Sequence, residues 1–115
     1  MDTKSIPASV QKSDVPLRSA APTFQVGRAV ATPSALALMD KHHIEPLDLL
    51  RRHQQGDWGN LDKHDRAANL AALKDGSRLL SSYPIGNQKL WVITEAVGED
   101  GVTRASTCFL MPEEY

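Results

Sequence analysis

The sequence predicts an α+β domain, with two to three helices followed by, and packed on, a three-stranded antiparallel β-meander. Three observations carry this. Apolar residues recur at helical spacing up to Gly76 and alternate at a period of two after Ser77. Helix-start and helix-stop residues bracket the first pattern, and turn residues punctuate the second. Between two of the helical stretches lies a break, His53-Gln54-Gln55-Gly56-Asp57-Trp58-Gly59-Asn60, which holds one of only two tryptophans.

Residues 1–22 carry Pro7, Pro16 and Pro22 among Ser, Ala, Lys and Asp, with single apolar residues and no period. Such a stretch buries too little apolar surface to offset its ordering entropy, so it reads as a disordered arm preceding one domain over 23–115. Phe24, Val26, Ala29 and Val30 allow a short extended piece over 23–31, weakened by Gly27. Thr32-Pro33 reads as an N-cap and the first helical residue, opening a helix to about His42 with Leu36, Leu38 and Met39 inward. Pro46 starts a second helix to about His53, with Leu47, Leu49 and Leu50 as its apolar side and Gly56 just past its end. Asp62 is a good N-cap for a third, and Asp65 suits the positive end of its dipole. Ala67, Leu70, Ala71 and Leu73 make its expected buried stripe, and Gly76 stops it.

Residues 78–83, 89–97 and 102–110 read as strands. Gly86-Asn87 is a two-residue hairpin signal, and 98–101 (GEDG) makes a four-residue loop. The first turn pairs Ile85 with Gln88, which sets Leu80 opposite Ile93 and Arg78 opposite Glu95. The second pairs Val97 with Val102, which sets Glu95 opposite Arg104 and Trp91 opposite Cys108. One face then shows Trp91, Ile93 and Glu95, and the other Leu79, Tyr83, Leu90, Val92, Thr94, Ala105, Thr107 and Phe109. Both are partly apolar, so the pattern leaves open which of them the helices cover.

Thirteen basic and fourteen acidic residues leave a net charge of −1, so any nucleic-acid binding needs a local patch. The single Cys108 excludes an internal disulfide and a Cys-rich zinc site, and it reads as a small core residue in a reducing cytoplasm. No apolar run approaches a membrane span of roughly 18 residues, so no membrane association is expected. His42, His43, His53 and His64 lack ligand spacing, and no phosphate-binding or dinucleotide-binding glycine motif occurs, so neither metal nor cofactor is expected.

Two constellations carry candidate chemistry, each with two readings. Arg78, Glu95 and Arg104 form either a cross-strand charge ladder or, with His53 as general acid, a metal-independent ribonuclease centre of toxin type, with Glu95 as base and the guanidinium groups facing a phosphate. The Trp58 break is either a turn pinned by a tryptophan that plugs the core or a recognition loop. In the second reading Asp57, Trp58 and Asn60, beside the basic Arg51 and Arg52, meet a partner.

The pieces HQQGDWGN (53–60), DRAANLAAL (65–73), RLLSSY (78–83), LWVITE (90–95) and LMPEEY (110–115) resemble a family of short bacterial proteins of plasmids and integrated elements. That family is loosely labelled as type I restriction–modification methylase subunits. The resemblance covers about residues 46–115, and its H-x-x-G-D-W-G and W-x-I-T-E pieces are the specific ones. It implies no catalytic residues. A methyltransferase would need a doubly wound sheet and a glycine-rich cofactor loop, which this chain is too short to build. The stretch 96–100 is longer than the tight turn the resemblance implies, which bears on the pairing of Arg104. The functional expectation is a non-enzymatic accessory protein of mobile elements that binds a protein or nucleic-acid partner. The ribonuclease is the alternative, and a complex subunit that pairs through an exposed sheet edge is a third reading.

Overall fold

The computed structural model describes residues 23–115, and the arm expected over 1–22 lies outside them. The order is β1 (Arg28–Ala31), α1 (Pro33–Lys41), α2 (Pro46–Gln54), α3 (Lys63–Asp75), β2 (Leu79–Ile85), β3 (Gln88–Thr94), β4 (Ser106–Leu110) and a 3₁₀ turn (Pro112–Glu114). The class is α+β as expected, but the sheet is four-stranded and mixed, in the order β1-β4-β3-β2. The antiparallel meander is there, and β1 joins it parallel to β4. A parallel partner nearly eighty positions away leaves no local turn signal, which is why the period of two showed only the meander.

The helix ends follow their caps. Thr32 accepts from the Ala35 N–H at 3.2 Å and Asp62 from the Asp65 N–H at 2.8 Å. Gly76 closes α3 at φ 82°, a left-handed backbone that glycine adopts without steric cost. Leu38, Met39, Leu49 and Leu50 are buried as expected, and the other expected inward positions are not. Leu36, Leu47 and Leu70 are exposed, Leu70 by 60%, while Ala35, His53 and Asn69 are buried. Ala67 and Ala71 of α3 are exposed as well. In α3 the buried stripe is Asn69 and Ala72, because Asn69 is drawn inward by the backbone of β2.

The meander's first register is as expected, with Leu80 opposite Ile93. The second is displaced by two residues, so that Ile93 faces Cys108 and Trp91 faces Leu110. The cause lies in the connection. Asp100 holds the Val102 and Thr103 N–H groups at 2.9 and 2.8 Å, and the chain next bridges Val97 to Arg104. A wider loop therefore replaces the tight one. Because the displacement is even, the side chains of β4 keep their expected faces.

Helices α1 and α2 cover the face of Tyr83, Leu90, Val92 and Phe109 with Ala35, Leu38, Met39, Leu49 and Leu50. Fully buried aliphatics such as Leu79, Leu90 and Val92 each stabilise the fold by about 1.5–3 kcal/mol. A second cluster, Trp58, Leu61, Ala72 and Leu79, seats α3 beside the end of β2.

The outer edge of β2 is closed. The Asn69 carboxamide donates to the Leu80 carbonyl at 2.6 Å and accepts from the Leu80 N–H at 3.1 Å, as a neighbouring strand would. One residue pair on, the Ser82 N–H donates to the Trp58 carbonyl at 3.0 Å and the Asn60 N–H to the Ser82 carbonyl at 2.6 Å. Gly59 sits between these bonds at φ 71°, where a Cβ would collide with the Ser82 carbonyl.

Candidate interaction surface

The residues of the proposed acid–base centre do not converge. His53, on α2, is fully buried on the helix-covered side, with Nδ1 2.6 Å from Ser81 Oγ and Nε2 2.9 Å from Thr94 Oγ1. The protons can be placed by following the chain of hydroxyls. Thr107 donates to the Val26 carbonyl, so it accepts from Thr94 at 2.6 Å, and the Thr94 oxygen accepts from Nε2–H. With the ring neutral, Nδ1 is left to accept from Ser81. Burial, with the Arg104 charge adding to it, pushes the His53 pKa down to about 3. A ring with that pKa carries no proton to give near neutrality.

Glu95 follows Thr94 on the strand, so its side chain projects to the opposite face, and it is exposed. Its partner in the ladder is Ser106, which accepts from its N–H at 3.0 Å. Arg104 is buried and bonds main-chain oxygens: those of Ser77 (2.7 Å), Glu95 (2.9 Å) and Ala72 (3.2 Å). It ties the carboxyl end of α3 to the sheet, where a cation complements the helix dipole. Arg78 lies over the Tyr115 ring, its guanidinium carbon 4.9 Å from the centroid. Both the ladder and the ribonuclease centre expected at Arg78, Glu95 and Arg104 are thus replaced by separate contacts.

The Trp58 loop is internal architecture. Trp58 is 6% exposed and packs against Phe24 (6.2 Å, stacked) and His53 (5.7 Å, edge-on). Asp57 pairs with Arg52 at 2.7 Å and accepts from the Gly59 N–H, while its carbonyl accepts from the Tyr83 hydroxyl at 2.6 Å. The hydrogen bond from Arg52 holds the Asp57 carboxyl below its usual range, and burial pushes the Tyr83 phenol up to about 12. Arg52 also stacks over Tyr83 at 4.5 Å. Asn60 is bound to β2, and Arg51 forms an exposed pair with Asp48. The plug reading of this segment holds, and Trp58 presents no stacking surface.

The other sheet face carries the surface that sequence reasoning missed. Trp91, half-buried, meets Tyr115 edge-on at 5.9 Å, and Tyr115 is 64% exposed beneath Arg78. Across β4 the face continues through Cys108, which is half-buried and so not the core residue expected, to Val30 at 38% exposure. Burial raises the Cys108 thiol pKa, so it stays protonated near neutrality. At the β2 side, Trp91 and Lys89 line a cleft of about 240 Å³ whose far wall includes Asp62 and Asp65. The signal in the sequence was the alternation of Trp91, Ile93 and Glu95, legible as one face but not as the one away from α1 and α2.

Among the described residues no cluster of three or more His, Cys, Asp or Glu side chains is placed to hold a metal ion, and no helix is long and apolar enough to cross a membrane. Comparison with protein-family models, with curated proteins and with solved structures gave no match to the chain.

Proposed function

We propose that the chain is a small non-enzymatic accessory protein that works by binding a polypeptide partner on the sheet face of Trp91, Tyr115 and Arg78. The observation that carries this is one cluster in which an exposed tyrosine lies between a tryptophan and an arginine, on the side of the sheet away from α1 and α2. Trp, Tyr and Arg are the residues that dominate binding energy at protein interfaces. The surroundings mix Arg28 and Lys89 with Glu95, Asp62 and Asp65, which suits a protein better than the uniform negative charge of a nucleic acid. The resemblance to plasmid and integrated-element proteins makes a partner encoded by, or met by, a mobile element the first place to look.

The test is co-purification from a bacterial host carrying such an element, with nuclease present, using wild type and the Arg78→Ala/Tyr115→Ala variant. The expected result is a partner retained by wild type and lost by the variant, with unchanged circular dichroism. Retention by both would remove this face from the proposal. A partner lost on nuclease treatment, with direct binding of single-stranded oligonucleotides, would replace the polypeptide by a nucleic acid.

A further inference from the structure

The two edges of the sheet are treated differently. The β2 edge is closed by Asn69 and by the 58–60 segment. At β1 the N–H groups of Arg28 and Thr32 donate inward to the Ala105 and Phe109 carbonyls, each at 3.0 Å. The parallel ladder repeats every second residue, so Arg28, Val30 and Thr32 are spent on β4, and Ala29 and Ala31 direct their N–H and C=O groups outward. No described residue bonds to these outward groups. The four-residue strand Arg28-Ala29-Val30-Ala31 carries a charge only at Arg28, has no proline or bulge to block pairing, and exposes Ala29.

We propose that β1 pairs antiparallel with β1 of a second copy of this chain, about a two-fold axis at Val30, doubling the four-stranded sheet. In this register Ala29 of each copy exchanges both backbone hydrogen bonds with Ala31 of the other. The Val30 side chains meet across the axis at the closer, non-hydrogen-bonded spacing, on the same face as Cys108. Arg28 falls opposite Thr32 of the second copy. The Thr32 hydroxyl donates to the Glu114 carboxylate at 2.8 Å, so each Arg28 guanidinium comes beside the Glu114 carboxylate of the other copy. The strand is therefore complementary to itself in shape, in hydrogen bonding and in charge, which is what an isologous two-fold contact requires. On the other face the small Ala29 and Ala31 leave room for the two α1 helices. The pairing does not rest on the Trp91–Tyr115–Arg78 reading, because none of these three side chains takes part in it.

Sedimentation velocity over a concentration series up to about 100 μM, which reaches weak contacts of small area, tests the proposal. Wild type is expected to convert from monomer to dimer along the series. Ala29→Pro removes an outward N–H and spares the inner ladder, so it should stay monomeric throughout. Should that variant not fold, Val30→Lys keeps the backbone intact and sets like charges across the axis, with the same expected result. Arg28→Glu, which places two carboxylates together, should weaken the dimer by about tenfold or more. A wild type that is monomeric at every concentration, or a folded Ala29→Pro and Val30→Lys pair that dimerise as wild type does, would overturn it.

Discussion

A histidine enclosed by two hydroxyls in an apolar core works as a structural hydrogen-bond hub, and His53 shows what this costs. Its ring joins α2 to β2 through Ser81 and to β3 through Thr94, and burial disfavours its charged form. The pKa falls from an ordinary 6.5 to about 3 in the fold, so below pH 6.5 the unfolded chain binds a proton that the folded one does not. The stabilisation is complete above pH 6.5 and is lost as pH falls from there towards 3. By pH 4.5 the loss is about 2–3 kcal/mol. The carboxylates Asp57, Asp75, Asp100 and Glu114, whose pKa values are depressed, add their own loss from their ordinary values near 4 downward, so the part of the slope above about pH 5 belongs to His53. Urea unfolding at stepped pH should show that slope in wild type and lose it in His53→Gln. A slope that persists there would assign the titration to another group. The sequence placed His53 correctly at a helix end beside a glycine break. It could not show that the ring points inward, since nothing in the spacing distinguishes a buried histidine from a catalytic one.

At the scale of elements, the features legible in the sequence were those set by neighbouring residues. Thr32 and Asp62 cap, Gly76 stops α3, and Gly86-Asn87 turns the hairpin, because a cap or a tight turn is decided within four residues. What failed was decided at a distance. The stripe of α3 was read through Leu70 because apolar residues normally face inward, yet the backbone of Leu80 recruits Asn69 and turns Leu70 to solvent. The parallel pairing of β1, expected only as a short extended piece, with β4 was missed for the same reason, and the Asp100 loop moved the β4 register by two. Asn69 therefore closes the β2 edge at Leu80. Asn69→Ala should cost about 2–3 kcal/mol, from two lost hydrogen bonds and a partly buried amide left unpaired. Hydrogen exchange should show the Leu80 amide opening faster in that variant, whereas unchanged protection there would mean that the edge is closed by something else.

Over the whole molecule, the sheet divides the chain's two tryptophans. Trp58 belongs to the interior with His53 and Phe24, and Trp91 belongs to the face that carries Tyr115 and Arg78. The period of two gave the membership of each face, but both faces hold apolar residues, and only the folding of α1 and α2 onto the Leu90–Val92 side decides which remains open. That is why the most conspicuous sequence motif, the Trp58 loop, turned out structural while a less conspicuous alternation carries the candidate surface. The most direct measurement is photo-crosslinking in the host from a benzophenone amino acid placed at Tyr115, with one at the exposed Leu70 of α3 as control. A single polypeptide adduct from position 115, absent from position 70 and lost when Arg78→Ala is added, is the predicted result. An adduct formed equally from position 70, or one unaffected by Arg78→Ala, would contradict the assignment of this face.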